Sequence, residues 1–338
     1  MRPVCSVVIP SYNGRALLET CLASVARHLP AGLDVEVIVS DDGSTDHTAE
    51  WLRETHPWVR VVQSAANAGF VAAANAGIAA ARGTFLQLLN NDTEVTAGWL
   101  EAGLAPFHDP AVGSVAPLVV VRSDPSRVDS AGDSYAVLGW PTKRGHGEPA
   151  LKWILHPVDR VFGASGSSAF YRADALRRVG AFDPTFGSYY EDIDLAFRLR
   201  WAGYQCVFTP HSQVLHEVSA TYDHARPVLQ RRMSRNAEVL FWTDLPVGWL
   251  AAAVIPHLAF LLAQGLWRLA RGRAAPFVQG KFDALLQWRT LAARRQVRVN
   301  LARQGIAPPH FPIKLGLVGD LRNHLRRPRE ASRTRRTG

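Results

Sequence analysis

The sequence predicts an α/β fold built on a mostly parallel sheet flanked by helices, and three observations point there. Short β-branched runs alternate with helix-length stretches through Leu89. The apolar runs end in polar or acidic residues, as strand ends do at a ligand-binding rim. With 338 residues, 47% of them hydrophobic and 20% charged, the chain can bury a sizeable core.

In order, Val4–Ile9 reads as a strand and Arg15–His28 as a helix. Val35–Ser40 is a second strand, and Asp46–Glu54 a helix for which Ser44, Thr45 or Asp46 can serve as the cap. Val59–Gln63 is a third strand, the Ala-rich run Val71–Ala81 a helix, and Thr84–Leu89 a fourth strand. A doubly wound sheet of such units brings Pro10–Gly14, Asp41–Ser44 and Asn90–Asp92 to one rim. Residues 122–160 are rich in Gly, Pro, Ser and Asp and are expected to form long functional loops. After them come the apolar-small run Val161–Tyr171, a helix over Ala173–Val179, a helix starting near Glu191 and a strand over Tyr204–Thr209.

Charge is unevenly divided. From Pro276 onward there are 14 Lys and Arg against 3 Asp and Glu, a net of +11, whereas the whole chain carries +9. The rest is slightly acidic, so the basicity belongs to a tail suited to an anionic partner such as lipid headgroups or nucleic acid. Aromatic residues are too sparse in that tail for base stacking, and no nucleic-acid partner is expected. Val247–Trp267 is a stretch of 21 residues without Lys, Arg, Asp or Glu, long enough to cross a bilayer. Gly248, Pro256, His257, Gln264 and Gly265 interrupt it, and arginines flank it on both sides. A single span would carry the basic tail across, against the positive-inside tendency. An in-plane or re-entrant helix keeps all the arginines on the cytoplasmic side. A buried helix of a helical subdomain is the third reading. Cys5, Cys21 and Cys206 are too few and scattered for a disulfide framework or zinc knuckle, which fits a reduced cytosolic compartment. The apolar run Val7–Ile9 stops at Pro10 and does not read as a secretory signal.

Three clusters can carry chemistry. Ser40-Asp41-Asp42-Gly43-Ser44 suits hydrogen bonding to a base or ribose, and is equally ordinary turn chemistry. Leu89-Asn90-Asn91-Asp92-Thr93 presents oxygens as a Mg2+ or Mn2+ site completed by phosphate requires, or as a plain Asn-Asp turn does. Glu191-Asp192-Ile193-Asp194 opens a helix, where the macrodipole favours acids, but three acids in four positions exceed what capping needs. One of them can act as a general base toward an acceptor hydroxyl, with Tyr189 and Tyr190 as a sugar-stacking surface. Glu191 and Asp194 share a face and Asp192 points elsewhere. His211 and His216 lie downstream of the strand Tyr204–Thr209, and a neutral imidazole can join an ion held by Asp92. Gly163-Ala164-Ser165-Gly166 allows close backbone approach to a substrate. Dinucleotide, Walker, zinc-protease and serine-hydrolase motifs are absent.

Taken in order, Ser6–Gly14, Val37–Asp46, Asn67-Ala68-Gly69-Phe70 with Asn75, Leu89–Thr93, Gly163–Gly166, Gly180–Asp183 and Glu191–Leu195 resemble glycosyltransferase family 2 across residues 3–220. The resemblance implies a GT-A fold, with residues 1–222 as the catalytic domain. An apolar, membrane-associating helical segment at 223–275 and a basic helical region and tail at 276–338 are expected to follow. The implied activity is inverting, metal-dependent transfer of a sugar from a nucleotide-sugar donor to a hydroxyl. In that scheme Asp192 is the general base, and Pro10, Tyr12, Asp42, Asn67 and Asn91 bind the donor. Asp92 and His216 hold a divalent metal, Mn2+ or Mg2+, while Gly166, Glu191 and Tyr190 meet the acceptor. Asn90 stands where the family's D-x-D motif has its first acid, a departure that bears on the metal's ligands. Asn90–Thr93, the Asp129-Ser130-Ala131-Gly132 string and the long acceptor region most resemble bacterial rhamnosyltransferase-like members. That implies dTDP-rhamnose as donor, with UDP-linked hexoses or UDP-galactofuranose next. The acceptor is then a lipid-linked or cell-envelope saccharide, and the enzyme works at the cytoplasmic face of the membrane. A non-catalytic member that binds a sugar nucleotide or scaffolds a membrane complex is the alternative.

Overall fold

In the computed structural model, which describes residues 3–218 and 226–314, the alternation becomes a sheet with helices on both faces. Strands β1 (Cys5–Ser11), β2 (Val35–Asp41), β3 (Val59–Gln63) and β4 (Phe85–Leu89) lie in parallel, linked by α1 (Arg15–His28), α2 (Thr48–Thr55) and α3 (Phe70–Ala80). Val7, Val8 and Ile9 are fully buried, because helices cover both faces of the sheet. Helix α1 turns Leu18, Cys21, Leu22 and Val25 inward, the spacing of one helical face. None of the three candidate caps holds the cap position of α2, which falls to His47; Asp46 before it accepts from the Thr48 amide at 3.2 Å and hydroxyl at 2.5 Å through its Oδ1.

The region expected to be long loops instead holds several short strands and a helix joined by turns. After β5 (Thr93–Val95), α4 (Trp99–Leu104) and the long strand β6 (Val112–Val121) come β7 (Asp124–Ser130), β8 (Asp133–Ala136), β9 (Trp140–Lys143), α5 (Ala150–Ile154) and β10 (Asp159–Val161). These strands carry polar residues, yet Asp129, Ser130 and Tyr135 are completely buried. Asp129 is satisfied across strands by Lys143 and His216, a partnership that composition does not reveal, whereas Ser130 bonds the nearby Gly132 carbonyl and the buried Tyr135 hydroxyl has no hydrogen-bond partner.

Strand β11 (Ser168–Arg172) runs antiparallel between β4 and β6, and α6 (Ala173–Val179) and α7 (Glu191–Trp201) follow. The last strand, β12 (Gln205–His216), runs parallel to β6 and is longer than expected. The ladder slips between Thr209 and Gln213, around Pro210, and then resumes, so His211 and His216 lie on this strand rather than beyond it. The sheet order is β10-β12-β6-β11-β4-β1-β2-β3, with β5 on β12, β7 on β6, and β8–β9 as a separate hairpin.

Four helices complete the described chain: α8 (Pro227–Asp244), α9 (Val247–Leu269), α10 (Ala274–Leu285) and α11 (Trp288–Arg303). Tyr135, Phe162, Phe186 and Phe197 form one core cluster with Leu240 and Phe241 of α8, Leu245 just after it and Ala253 of α9. Arg298 of α11 reaches Asp194 and Asp244 at 2.5 Å each, and all three are buried. The apolar helix α9 buries only Ala253, His257 and Gln264. The three cysteines are free and buried. The end of the basic tail, from residue 315, lies outside the described residues.

Candidate active site

Because β1, β2 and β4 are parallel, their carboxyl ends finish on one edge of the sheet. Antiparallel β11 begins at that edge, Ser168 facing Leu89, and β12 ends there with His216 opposite Thr93. A hydrogen bond from the Asn90 amide to the Ser167 carbonyl, 3.0 Å, ties the turn after β4 to the loop before β11. All the expected site residues lie on or near this rim.

Pro10 is buried in β1, paired with Ser40, and Tyr12 just beyond it is 44% exposed. Asp42 is buried at the end of β2. Its carboxylate accepts the Ala68 amide at 3.0 Å and the Gly69 amide at 2.7 Å, which fixes the chain entering α3 and holds exposed Asn67 beside it. Neighbouring Asp41 binds the Ser44 hydroxyl and shapes the turn. In that turn Gly43 has φ +70°, and an added Cβ would sit 2.7 Å from the backbone of Ala66. Asn91 donates to Ser11 Oγ at 3.0 Å, joining the ends of β4 and β1.

His216 is strung between two carboxylates. Its Nδ1 lies 2.9 Å from Asp129 Oδ2, and its Nε2 lies 3.4 Å from Asp92 Oδ1. Burial alone would lower the imidazole pKa, but the bond to Asp129 and the proximity of Asp92 outweigh it and hold it at about 9. Burial would likewise raise the Asp129 carboxyl. The Lys143 ammonium, 2.8 Å away, and the hydrogen bonds from His146 and His216 instead hold it well below the usual range. Asp92 Oδ1 is buried and accepts no formed hydrogen bond.

These residues fit a divalent cation. An unpartnered carboxylate oxygen faces an imidazole whose other nitrogen is oriented by a carboxylate, the arrangement that aims a histidine ligand. Among the described residues no group of three or more His, Cys, Asp or Glu converges on one point. The chain would therefore supply two ligands, and Mg2+ or Mn2+ takes the rest from phosphate and water. Ligation would require a neutral imidazole, so His216 would give up its Nε2 proton to hold an ion.

The acid–base side lies at the start of α7. Asp192 is half-buried, and its Oδ2 accepts the Gly166 amide at 2.9 Å. Glu191 is buried with Oε2 unpartnered. Burial raises the pKa of both carboxyls, and for Glu191 the adjacent Asp192 charge adds to it. Asp194, the other acid on the Glu191 face, does not belong to the site: it is fully buried and held by Arg198 at 2.8 Å and by Arg298. Tyr189 and Tyr190 enter the helix with φ of 67° and 71°, a strained pair for residues with side chains. Asn236 of α8 holds this turn, donating to the carbonyls of Phe186, Ser188 and Tyr189 at 3.1, 3.2 and 2.8 Å. His211 is exposed and stands apart from the site.

The sequence reading assigned no role to Asp129, Asp133, Lys143 or Asn236. Asp133 is buried, its Oδ2 has no partner, and its amide bonds the Gly163 carbonyl at 2.8 Å. Burial, then the charge of Asp192, push its pKa well above the usual range. The sequence offered one signal for this group, the Asp129-Ser130-Ala131-Gly132 string, without the cross-strand pairings that explain it.

A family profile described as "Glycosyl transferase family 2" matches residues 6–180. The chain is 29% identical over 313 residues to an N-acetylglucosaminyl-diphospho-decaprenol L-rhamnosyltransferase of Mycobacterium tuberculosis, covering 83% of this chain and 100% of that protein. It is 32% identical to a pre-mycofactocin glycosyltransferase of the same organism, over 63% of this chain but only 42% of that one. Among solved structures it resembles the Pyrobaculum calidifontis mannosyltransferase PcManGT, in complex with GDP-Man and Mn2+, with a TM-score of 0.54 at 20% identity. That likeness covers 90% of this chain and 88% of the other. It also resembles GalNAc-T7 with UDP, GalNAc and Mn2+, with a TM-score of 0.57 at 20% identity over 70% of this chain and 48% of that one.

Proposed function

Since the chain belongs to glycosyltransferase family 2 and has its GT-A fold, we propose that this glycosyltransferase moves rhamnose from dTDP-rhamnose to a hydroxyl of a lipid-linked saccharide, with inversion. The observation that carries the reading is the rim itself. His216, aimed by Asp129 at Asp92, shares one sheet edge with Asp192, whose carboxylate is backed by Gly166. The rhamnosyltransferase relative, matched along its full length, supports the choice of sugar and of a lipid-linked acceptor.

In this reading the nucleoside lies against Pro10, Tyr12 and Asn67, and Asp42 keeps acceptor capacity beyond its two backbone amides. Asn91 orders the turn beneath the diphosphate. Asp92 and His216 would hold Mn2+ or Mg2+, which supplies charge neutralisation to the departing nucleoside diphosphate. Asp192 takes the proton of the acceptor hydroxyl as that oxygen attacks the anomeric carbon. One C–O bond forms as the bond to the diphosphate breaks on the opposite face, which inverts the centre. A raised carboxyl suits the task, being a stronger base than an ordinary aspartate. Gly166, Glu191 and Tyr190 border the acceptor. With a lipid-linked acceptor, the enzyme works at the cytoplasmic membrane face.

Two measurements test the reading. Thermal shift with Mn2+ or Mg2+ across dTDP-, UDP- and GDP-sugars should show metal-dependent stabilisation by dTDP-rhamnose above the others. A preference for a UDP-sugar replaces the donor assignment, and no response to any nucleotide rejects the enzyme reading. Asp192→Asn should abolish transfer while leaving donor binding intact.

A further inference from the structure

Helix α9 is apolar enough to cross a membrane, yet only 17% of its most apolar window is buried. Every exposed residue along it is Val, Gly, Ala, Ile, Pro or Leu. Ile255, Leu258, Leu262, Leu266 and Leu269 line one face at helical spacing, each more than half exposed. The opposite face is fastened to the catalytic domain. His257 Nδ1 lies 2.6 Å from the Leu138 carbonyl between β8 and β9, and its ring stacks on Phe241 with centroids 3.6 Å apart. Its Nε2 lies 3.2 Å from Glu238. Phe260 packs edge-on against Trp140 of β9.

A helix crossing a bilayer would have to give up these bonds, exposing His257 and Gln264 to hydrocarbon and leaving Glu238 without its histidine. Helix α10, which packs beside α9, also exposes apolar side chains. Val278, Phe282 and Leu285 of α10, with Leu286, are exposed as well. Trp–Arg pairs mark its margins: Arg271 sits 4.1 Å over Trp267 and Arg289 5.3 Å over Trp288. Indole and guanidinium at the border of an apolar face are the chemistry of a bilayer interface. The sequence from residue 315 adds 7 Arg against 2 acids, a charge that favours anionic headgroups.

We infer that the exposed faces of α9 and α10 form a monotopic membrane-docking surface, lying in the plane of an anionic bilayer with the arginines at headgroup level. The inference rests on the reading of a lipid-linked acceptor, and it adds the surface and the orientation. An apolar helix face about 34 Å long, exposed on a protein whose acceptor is membrane-borne, has the bilayer as its occupant.

The test uses the full chain and vesicles of phosphatidylcholine with or without phosphatidylglycerol. Wild type should sediment with the anionic vesicles, less so at high salt, and carbonate washing should release it. The double change Leu262→Glu and Leu266→Glu, both exposed, should lower partitioning by about tenfold or more while leaving the melting temperature unchanged. Retention after carbonate overturns the inference in favour of a spanning helix. Failure to bind vesicles, with wild type dimeric and the double variant monomeric in sedimentation velocity, overturns it in favour of a protein interface. Stabilisation by nucleotide, measured without vesicles, reports the donor site separately, so either reading can fail alone.

Discussion

Asp192 and Asp133 allow one chemical change with opposite outcomes. Both carboxyls are raised by burial, but Asp133 lies deeper, carries an unpartnered oxygen and feels the Asp192 charge. Asp133 is therefore biased toward its neutral form, whereas Asp192 must ionise to accept a proton. Asp133→Asn should leave kcat near wild type at pH 7, and Asp192→Asn should remove it. Wild-type activity should fall as pH drops through the Asp192 pKa, with the acid limb above the ordinary aspartate range, because the protonated carboxyl cannot act as base. Asp129 is a positioning residue. Asp129→Asn should weaken metal-dependent nucleotide binding by about 10–100-fold, read by calorimetric titration, while nucleotide binding without metal changes little. Asp192 and Asp92 were visible as candidates because each sits in a short contiguous string. Asp129 was not, because its partner His216 stands 87 residues away and only strand pairing joins them.

At the scale of the element, the parallel half of the sheet was readable because its strands are mostly short β-branched runs that alternate with helices. The strands between residues 122 and 160 were not, since a polar strand and a polar loop share a composition until pairing distinguishes them. Two elements also carry strain that can be tested. The turn after β2 needs Gly43, where Gly43→Ala meets both a positive φ and the Ala66 backbone. That change should cost about 1–3 kcal/mol, seen as a lower urea midpoint. The turn before α7 holds two left-handed tyrosines whose neighbouring carbonyls depend on Asn236. Asn236→Ala should lower kcat more than donor affinity, because it loosens the presentation of Asp192 and leaves the other side of the rim intact.

In the whole molecule, buried charge ties the C-terminal helices to one another and to the domain before them. Glu238 of α8 is held by His257 of α9, Lys281 of α10 at 2.8 Å and Trp242 at 3.0 Å. Burial alone would raise its carboxyl, but these partners bring it down to about 2 from an ordinary 4.5. A folded value below the unfolded one stabilises the protein above pH 4.5, and that stabilisation drains away as pH falls toward 2. Its size is on the order of 3 kcal/mol. Glu238→Gln should flatten the acid limb of urea stability between those pH values. Arg298 is the second tie. Removing its guanidinium strands Asp194 and Asp244 as buried charges, so Arg298→Met should cost about 3–5 kcal/mol by the same urea measurement.

That second tie also sets an order of events during synthesis. Asp194 sits in the same helix as Asp192, and 104 residues separate it from Arg298. At roughly 5–20 residues per second, the ribosome needs about 5–20 s to make that stretch. Until it has done so, the nascent α7 has Arg198 but lacks the partner that α11 brings. The hydrophobic face of α9 emerges within the same interval, so the growing chain has its lipid-seeking helix before the helix carrying Asp192 is locked.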